Sequence, residues 1–224
     1  MSRGYFVTGT DTGVGKTLVS QALLHRLRKT HAAVAGFKPV ASGCHMTPEG
    51  LRNEDALALQ QASSVALSYT TVNPYAFAPP VAPHLAAQAV GVTIDCAFIQ
   101  RSIAAVPAEQ IVVEGVGGWL VPLNEQQTVA DLAQLLGLPV VLVVGLRLGC
   151  INHALLTAVA IRAQGLEIVG WVANQIDPAF RLCEENIVAI DARVGAPLLM
   201  RIPWYATPPR PEDLNACFLD RNVI

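Results

Sequence analysis

The stretch that most constrains this chain is Gly9-Thr10-Asp11-Thr12-Gly13-Val14-Gly15-Lys16-Thr17, which follows the apolar run Tyr5-Phe6-Val7. A strand-like start, a glycine-spaced turn and a helix-like segment from Lys16 to about Lys29 stand in the order that a phosphate-binding loop requires. In such a loop the backbone N–H groups converge on an anion, and the positive end of the following helix dipole reinforces them. Lys16 is then placed to reach the β- and γ-phosphates, and the Thr17 hydroxyl to reach Mg²⁺. Five residues separate Gly9 from Gly15, one more than in the usual pattern. A purely structural glycine turn is the alternative, and the strand–turn–helix context argues against it.

Largely apolar runs recur along the chain at Tyr5–Val7, Ala33–Val40, Gln110–Val113, Pro139–Val144, Glu167–Val172 and Pro197–Ile202. Continuous apolar runs without alternation mark strands covered on both faces, and the segments Thr128–Leu136, Ile151–Ala163 and Arg181–Val194 have helical length and period. The expected fold is α/β: one doubly wound, mostly parallel sheet with P-loop NTPase-type architecture. With 224 residues, of which 52% are hydrophobic and 14% charged, the whole of 1–224 can form one well-buried domain.

Ligands of doubly wound sheets sit beyond the carboxyl ends of the strands, so the residues after each run carry the chemistry. These are the phosphate loop, Lys38-Pro39-Val40-Ala41-Ser42-Gly43, Glu114-Gly115-Val116-Gly117-Gly118, the segment from Gly145 to Asn152, and Asn174. Lys38 at an apolar strand end reads either as a snorkelling lysine or as a second cation beside the phosphate loop. Ser42 and Gly43 beside it favour the second reading. Glu114 on a buried strand tip needs a partner, and Mg²⁺, shared with Thr17 and, on one reading, with Asp55, meets that need. Asp55 reads equally well as a helix-start carboxylate favoured by the dipole.

A net charge of −2 with scattered basic residues leaves no electrostatic footprint for nucleic acid. The amino terminus lacks a signal peptide's apolar core, and the longest apolar stretch, Leu138 to Gly145, is far short of the ~20 residues needed to span a bilayer, so a cytoplasmic protein with no membrane partner is expected. Five widely spaced cysteines indicate neither a disulfide framework nor a zinc site. The proline-dense stretch from Asn73 to His84 is expected to be a surface loop, as a lid or a connector. His84 and His153 are assigned no catalytic role.

With these residues assembled, the chain resembles the dethiobiotin synthetase family over nearly its whole length. The resemblance rests on Tyr5 to Thr12 with Val14-Gly15-Lys16-Thr17, Lys38 to Gly43, Thr47 to Asn53 with Asp55, Val72-Asn73-Pro74-Tyr75, Val113-Glu114-Gly115 with Gly117-Gly118-Trp119, Leu148 to Ala154, and Gly170 to Asn174. The longer phosphate-loop spacing is the family's own form.

The resemblance implies an ATP- and Mg²⁺-dependent cyclo-ligase of biotin biosynthesis. Such an enzyme closes 7,8-diaminononanoate with CO₂ to dethiobiotin through a carbamate and a carbamic-phosphoric anhydride, releasing ADP and phosphate. By position, Lys16, Lys38 and Thr12 would serve the chemistry. Thr12, Lys38 and Ser42 would hold the diamine or its carbamate, and Thr17, Asp55 and Glu114 the metal. Gly13, Val14, Gly15, Lys16, Thr17 and Leu18, with Asp55, Glu114, Gly115, Val116 and Gly117, would line the nucleotide. Asn174, Gln175, Pro203, Trp204 and Tyr205 would meet adenine. Family members are homodimers, in which Gly149, Cys150, Ile151 and Asn152 would hold the substrate carboxylate across the interface.

Three positions depart from the family pattern. Gly13 stands where many relatives carry glutamate, Gln175 where an acidic residue is common, and the proline-rich tail from Ala206 matches weakly, so that Glu212 is only a candidate nucleotide contact. Two other readings share the fold. A cobyrinate-type amidoligase would need a glutamine-hydrolysing domain that this short chain lacks. A partitioning-type ATPase switch typically carries an extra lysine early in the phosphate loop, where this chain has Thr10-Asp11-Thr12.

Overall fold

The computed structural model describes residues 4–207 and 209–219. Met1–Arg3, part of the amino-terminal stretch read above for a leader, and Pro208 of the proline-rich tail lie outside the described residues. Six strands form one parallel sheet: β1 (Gly4–Gly9), β2 (Val34–Phe37), β7 (Gln110–Glu114), β8 (Val140–Leu146), β9 (Ile168–Gln175) and β10 (Leu198–Ile202). Between β2 and β7 the chain forms β3 (Val40–Ala41), β4 (His45–Thr47), β5 (Gly50–Arg52) and β6 (Tyr75–Ala76) in two small ribbons. The helices are α1 (Lys16–Leu27), α2 (Glu54–Ala62), α3 (Tyr69–Val72), α4 (Pro83–Ala89), α5 (Cys96–Ala104), α6 (Val129–Leu136), α7 (Cys150–Ala163) and α8 (Cys183–Val194), and a 3₁₀ turn spans Pro211–Cys217.

Sheet order is β10-β9-β8-β1-β7-β2, so the chain runs to one side of β1, returns, and then runs to the other side. Strand order therefore reverses at β1, and the loop that leaves β1 lies in the crevice where doubly wound sheets bind ligands. Both faces of the sheet are covered. Phe6, Val113, Leu142 and Trp171 point into one core with Ile99, Leu132, Ala158 and Ile190. Their neighbours Val7, Val112, Val141 and Val172 point into the other core with Val19, Leu23, Leu59 and Leu214. Successive side chains of a strand face opposite ways, so strands buried on both sides must be apolar throughout, which is why they are readable as unbroken runs.

The expected strand Ala33–Val40 is divided. β2 ends at Phe37, the Lys38 N–H turns to the Val72 carbonyl at 3.0 Å, and Pro39, which has no N–H to give a ladder, leads into β3. The stretch from Asn73 to His84 is not the surface loop expected of it. β6 pairs in parallel with β3, Asn73 and Phe77 are buried, and Pro83 opens α4 at a position where its missing N–H costs nothing. Only Ala78 to Val81 stand exposed within it.

Candidate active site

The phosphate loop takes its shape from two glycines and one buried amide. Gly15 caps α1 in the left-handed region (φ 93°), and a Cβ there would lie 2.2 Å from Asn174 Nδ2. That amide is held in place by donating to the Val14 carbonyl at 2.8 Å. Gly13 is also left-handed (φ 74°) but faces open space, so its constraint is backbone conformation alone.

Lys16 is buried at the start of α1, and its ammonium donates to the Asp11 and Gly117 carbonyls, each at 2.8 Å. Burial, and then the charge of Lys38, push its pKa down to about 8 against the opposing pull of Glu114, Asp55 and Asp11. Asp11 accepts from the Thr12 N–H at 2.7 Å and from Arg147 at the end of β8.

Lys38 and Glu114 form the buried centre of the site. Lys38 Nζ lies 2.5 Å from Glu114 Oε1, 3.0 Å from Asp55 Oδ2 and 3.2 Å from the Gly115 carbonyl. Burial works against the charge on Lys38, yet Glu114 and Asp55 outweigh it and hold its pKa above the ordinary lysine value. Burial likewise raises the Asp55 carboxyl, but Lys38, a Thr17 hydrogen bond and Lys16 together hold it below the usual range. Asp55 sits in the first turn of α2 behind the Asn53 N-cap, so its helix-start position and its partnership with Lys38 hold together.

Thr17 Oγ1 donates to Glu114 Oε1 at 3.0 Å, while Glu114 Oε2 is buried with no hydrogen-bond partner. An ionised oxygen left bare in the interior is costly, and a hard cation is the partner that removes the cost. Thr17, Asp55 and Glu114 thus fit Mg²⁺ in chemistry. They are too few for a site made of protein ligands alone, and among the described residues no three His, Cys, Asp or Glu side chains are grouped so as to hold a metal ion. Phosphate oxygens would have to complete it.

A cleft of about 1020 Å³ opens over this centre, lined by Thr12, Gly13, Gly15 to Leu18, Lys38, Ser42, Asp55, Glu114, Val116 and Gly117. Sequence reasoning missed Gln21, Asn53, Val121, Pro209 and the run Pro80 to Pro83 in its wall. The proline density of the last of these was visible as a possible lid.

A family model described as an AAA domain matches residues 3–210. ATP-dependent dethiobiotin synthetase BioD of Xanthomonas oryzae pv. oryzae (strain PXO99A) is 56% identical over 202 residues, covering 89% of this chain and 90% of its own length. The protein of that name from Pseudomonas aeruginosa (strain UCBPP-PA14) is 54% identical, with 89% of each chain covered. The chain belongs to the dethiobiotin synthetase family. A ParA family ATPase from Chlorobium tepidum TLS shares the fold at TM-score 0.55 and 14% identity, over 92% of this chain and 86% of that one. That likeness establishes P-loop architecture alone.

The other positions that the dethiobiotin synthetase resemblance points to lie outside the cleft wall. Register between β9 and β10 pairs Asn174 with Ile202, so Gln175 and Pro203 leave the sheet side by side. Gln175 Nε2 has a long bond of 3.5 Å to the Asp177 carbonyl, while Pro203, Trp204 and Tyr205 are exposed. One of the two N–H groups of the Asn174 amide is given to the Val14 carbonyl, which fixes this side chain beside the phosphate loop. Gly149 (φ 95°) caps α7. Cys150 is turned inward, its thiol 3.7 Å from Asn186 Oδ1 and its N–H given to the Arg147 carbonyl, whereas Asn152 is exposed. His84 and His153 do not line the cleft.

Proposed function

We propose that this chain catalyses the ATP- and Mg²⁺-dependent ring closure of 7,8-diaminononanoate with CO₂ to dethiobiotin, with release of ADP and phosphate. The observation that carries the proposal is the meeting of Lys16, Lys38, Thr17, Asp55 and Glu114 in one cleft, in a chain 56% identical to a protein named for that product.

One substrate amine adds to CO₂, losing a proton to give a carbamate. A carbamate oxygen then attacks the γ-phosphorus and ADP leaves. The second amine attacks the carbonyl carbon of the mixed anhydride, phosphate departs with the C–O bonding pair, and loss of a proton completes the ureido ring. No covalent bond to the protein is needed, so catalysis rests on positioning and charge neutralisation. Lys16 neutralises the β- and γ-phosphates from the helix start. Lys38, in the same cleft, serves the carbamate and the transferring phosphoryl group. Thr12 and Ser42 hold the diamine by hydrogen bonds. Mg²⁺ bound by Thr17, Asp55 and Glu114 supplies further charge stabilisation at the phosphates.

Adenine lies against Asn174 Oδ1, Gln175 and the exposed Pro203-Trp204-Tyr205 strip. The working form is a cytoplasmic homodimer of single-domain protomers, in which Gly149 to Asn152 hold the substrate carboxylate across the interface. The exposed Leu156 and Val159, three residues apart on α7, and the exposed Leu148 just before that helix support such an interface, since exposed apolar side chains near one another call for a cover. Among the described residues no helix is long and apolar enough to cross a membrane. The direct test is whether ADP release depends on both 7,8-diaminononanoate and bicarbonate. Hydrolysis of equal rate with and without the diamine contradicts the assignment.

A further inference from the structure

We propose that Lys38 is a resident counter-ion of the Mg²⁺ site: in the unliganded chain its ammonium holds the Asp55 and Glu114 carboxylates that take the metal, and metal entry releases it toward the cleft. This rests on the metal assignment proposed above.

An ammonium has three N–H bonds, and all three of Lys38 are spent here, on Asp55 Oδ2, Glu114 Oε1 and the Gly115 carbonyl. A lysine in that state has no hydrogen bond to offer a carbamate or a γ-phosphate. It must give up at least one partner before it can act, and Glu114, which is almost fully buried, cannot be abandoned as an uncompensated charge. A divalent cation between Asp55 and Glu114 solves both problems, because it compensates the carboxylates and frees the ammonium in one exchange. The unpartnered Glu114 Oε2 and the Thr17 hydroxyl at Oε1 are the oxygens already waiting beside the pair.

The backbone of Lys38 cannot make this movement. Its N–H is given to the Val72 carbonyl at 3.0 Å, and its carbonyl accepts from Asn73 Nδ2 at 2.6 Å. The exchange is therefore confined to the flexible four-carbon side chain, which already lines the cleft. Metal and lysine compete for the same two carboxylates, and removing the lysine must strengthen metal binding to the empty protein.

The test is Mn²⁺ binding to nucleotide-free protein, read by the electron paramagnetic resonance signal of free Mn²⁺. Lys38→Met is expected to tighten Mn²⁺ binding by about tenfold or more, and adding Asp55→Asn to that variant is expected to remove the gain. Equal or weaker Mn²⁺ binding by Lys38→Met, while Asp55→Asn still weakens binding of Mn²⁺ with ADP, overturns the exchange and leaves the metal assignment standing. Unchanged Mn²⁺–ADP binding in Asp55→Asn overturns both. A second measurement needs no variant at position 38 to fold. The ¹⁵N resonance of the Lys38 ammonium in the wild-type protein is expected to move on addition of Mg²⁺ with ADP and to stay in place with ADP and chelator. A resonance indifferent to Mg²⁺ with ADP overturns the proposal.

Discussion

The Lys16 ammonium donates to the Gly117 carbonyl at 2.8 Å, tying the phosphate loop to the turn beyond β7 across 101 positions of chain. Both carbonyl partners of Lys16 are neutral, and the pull of Glu114, Asp55 and Asp11 does not offset its burial and the charge of Lys38 until phosphate arrives. With its pKa pushed down to about 8, Lys16 carries a full charge only below that pH. Metal-free ADP in chelator should therefore bind with nearly constant affinity up to about pH 8 and then weaken about tenfold per pH unit, because each binding event above that point must first protonate the lysine. Calorimetric titration from pH 7 to 9.5 checks this, and an affinity unchanged through pH 9.5 contradicts it.

Gly15→Ala should be the more damaging of the two loop-glycine changes. It forces a left-handed alanine, at a cost on the order of 1–2 kcal/mol, and drives the new Cβ into Asn174 Nδ2, displacing the amide that fixes the Val14 carbonyl. Loss of both stability and ADP binding is expected. Adding Asn174→Ala should relieve the clash but not the backbone strain, giving partial recovery in denaturant unfolding.

Gly13→Ala meets open space, so its effect should be confined to the backbone term of roughly 1 kcal/mol, with ADP affinity altered less than about threefold. Glutamate at this position should be tolerated on the same grounds. A loss of ADP binding as large as that of Gly15→Ala would show that the Gly13 side of the loop is crowded by something other than its own backbone.

Lys38→Ala should leave ATP affinity within a few-fold of wild type while lowering turnover by about 10²–10³-fold, as expected when a group acts on developing charge rather than on the bound nucleotide. Steady-state kinetics beside direct nucleotide titration separate the two effects. Weakened ATP binding with undiminished turnover contradicts the role given to Lys38.

The six sheet strands were legible because burial on both faces leaves no polar alternation to confuse the period, and the phosphate loop because its chemistry sets its residue types. The region from Val40 to Ala104 was not legible as structure. Its strands are two or three residues long, and they are held by side chains such as Asn73, which bonds the Lys38 carbonyl, and Tyr69, which accepts from the Asn53 N–H. Such contacts leave no periodic trace. Lys38 stood out in the sequence as a strand-end cation with no carboxylate nearby, whereas in space it holds two, one 17 positions away and one 76. Asn174 stood out as a base reader, and in space its amide also braces the phosphate loop through the Val14 carbonyl. In both cases the residue was visible and its partner was not, because the topology of the sheet brings them together.

The central claim is that this cleft phosphorylates a carbamate rather than merely turning over ATP, and incorporation of labelled bicarbonate tests it most directly. Purified protein should convert label into an acid-stable product only when ATP, Mg²⁺ and 7,8-diaminononanoate are all present. ATP hydrolysis that ignores the diamine and leaves no acid-stable label would contradict the account.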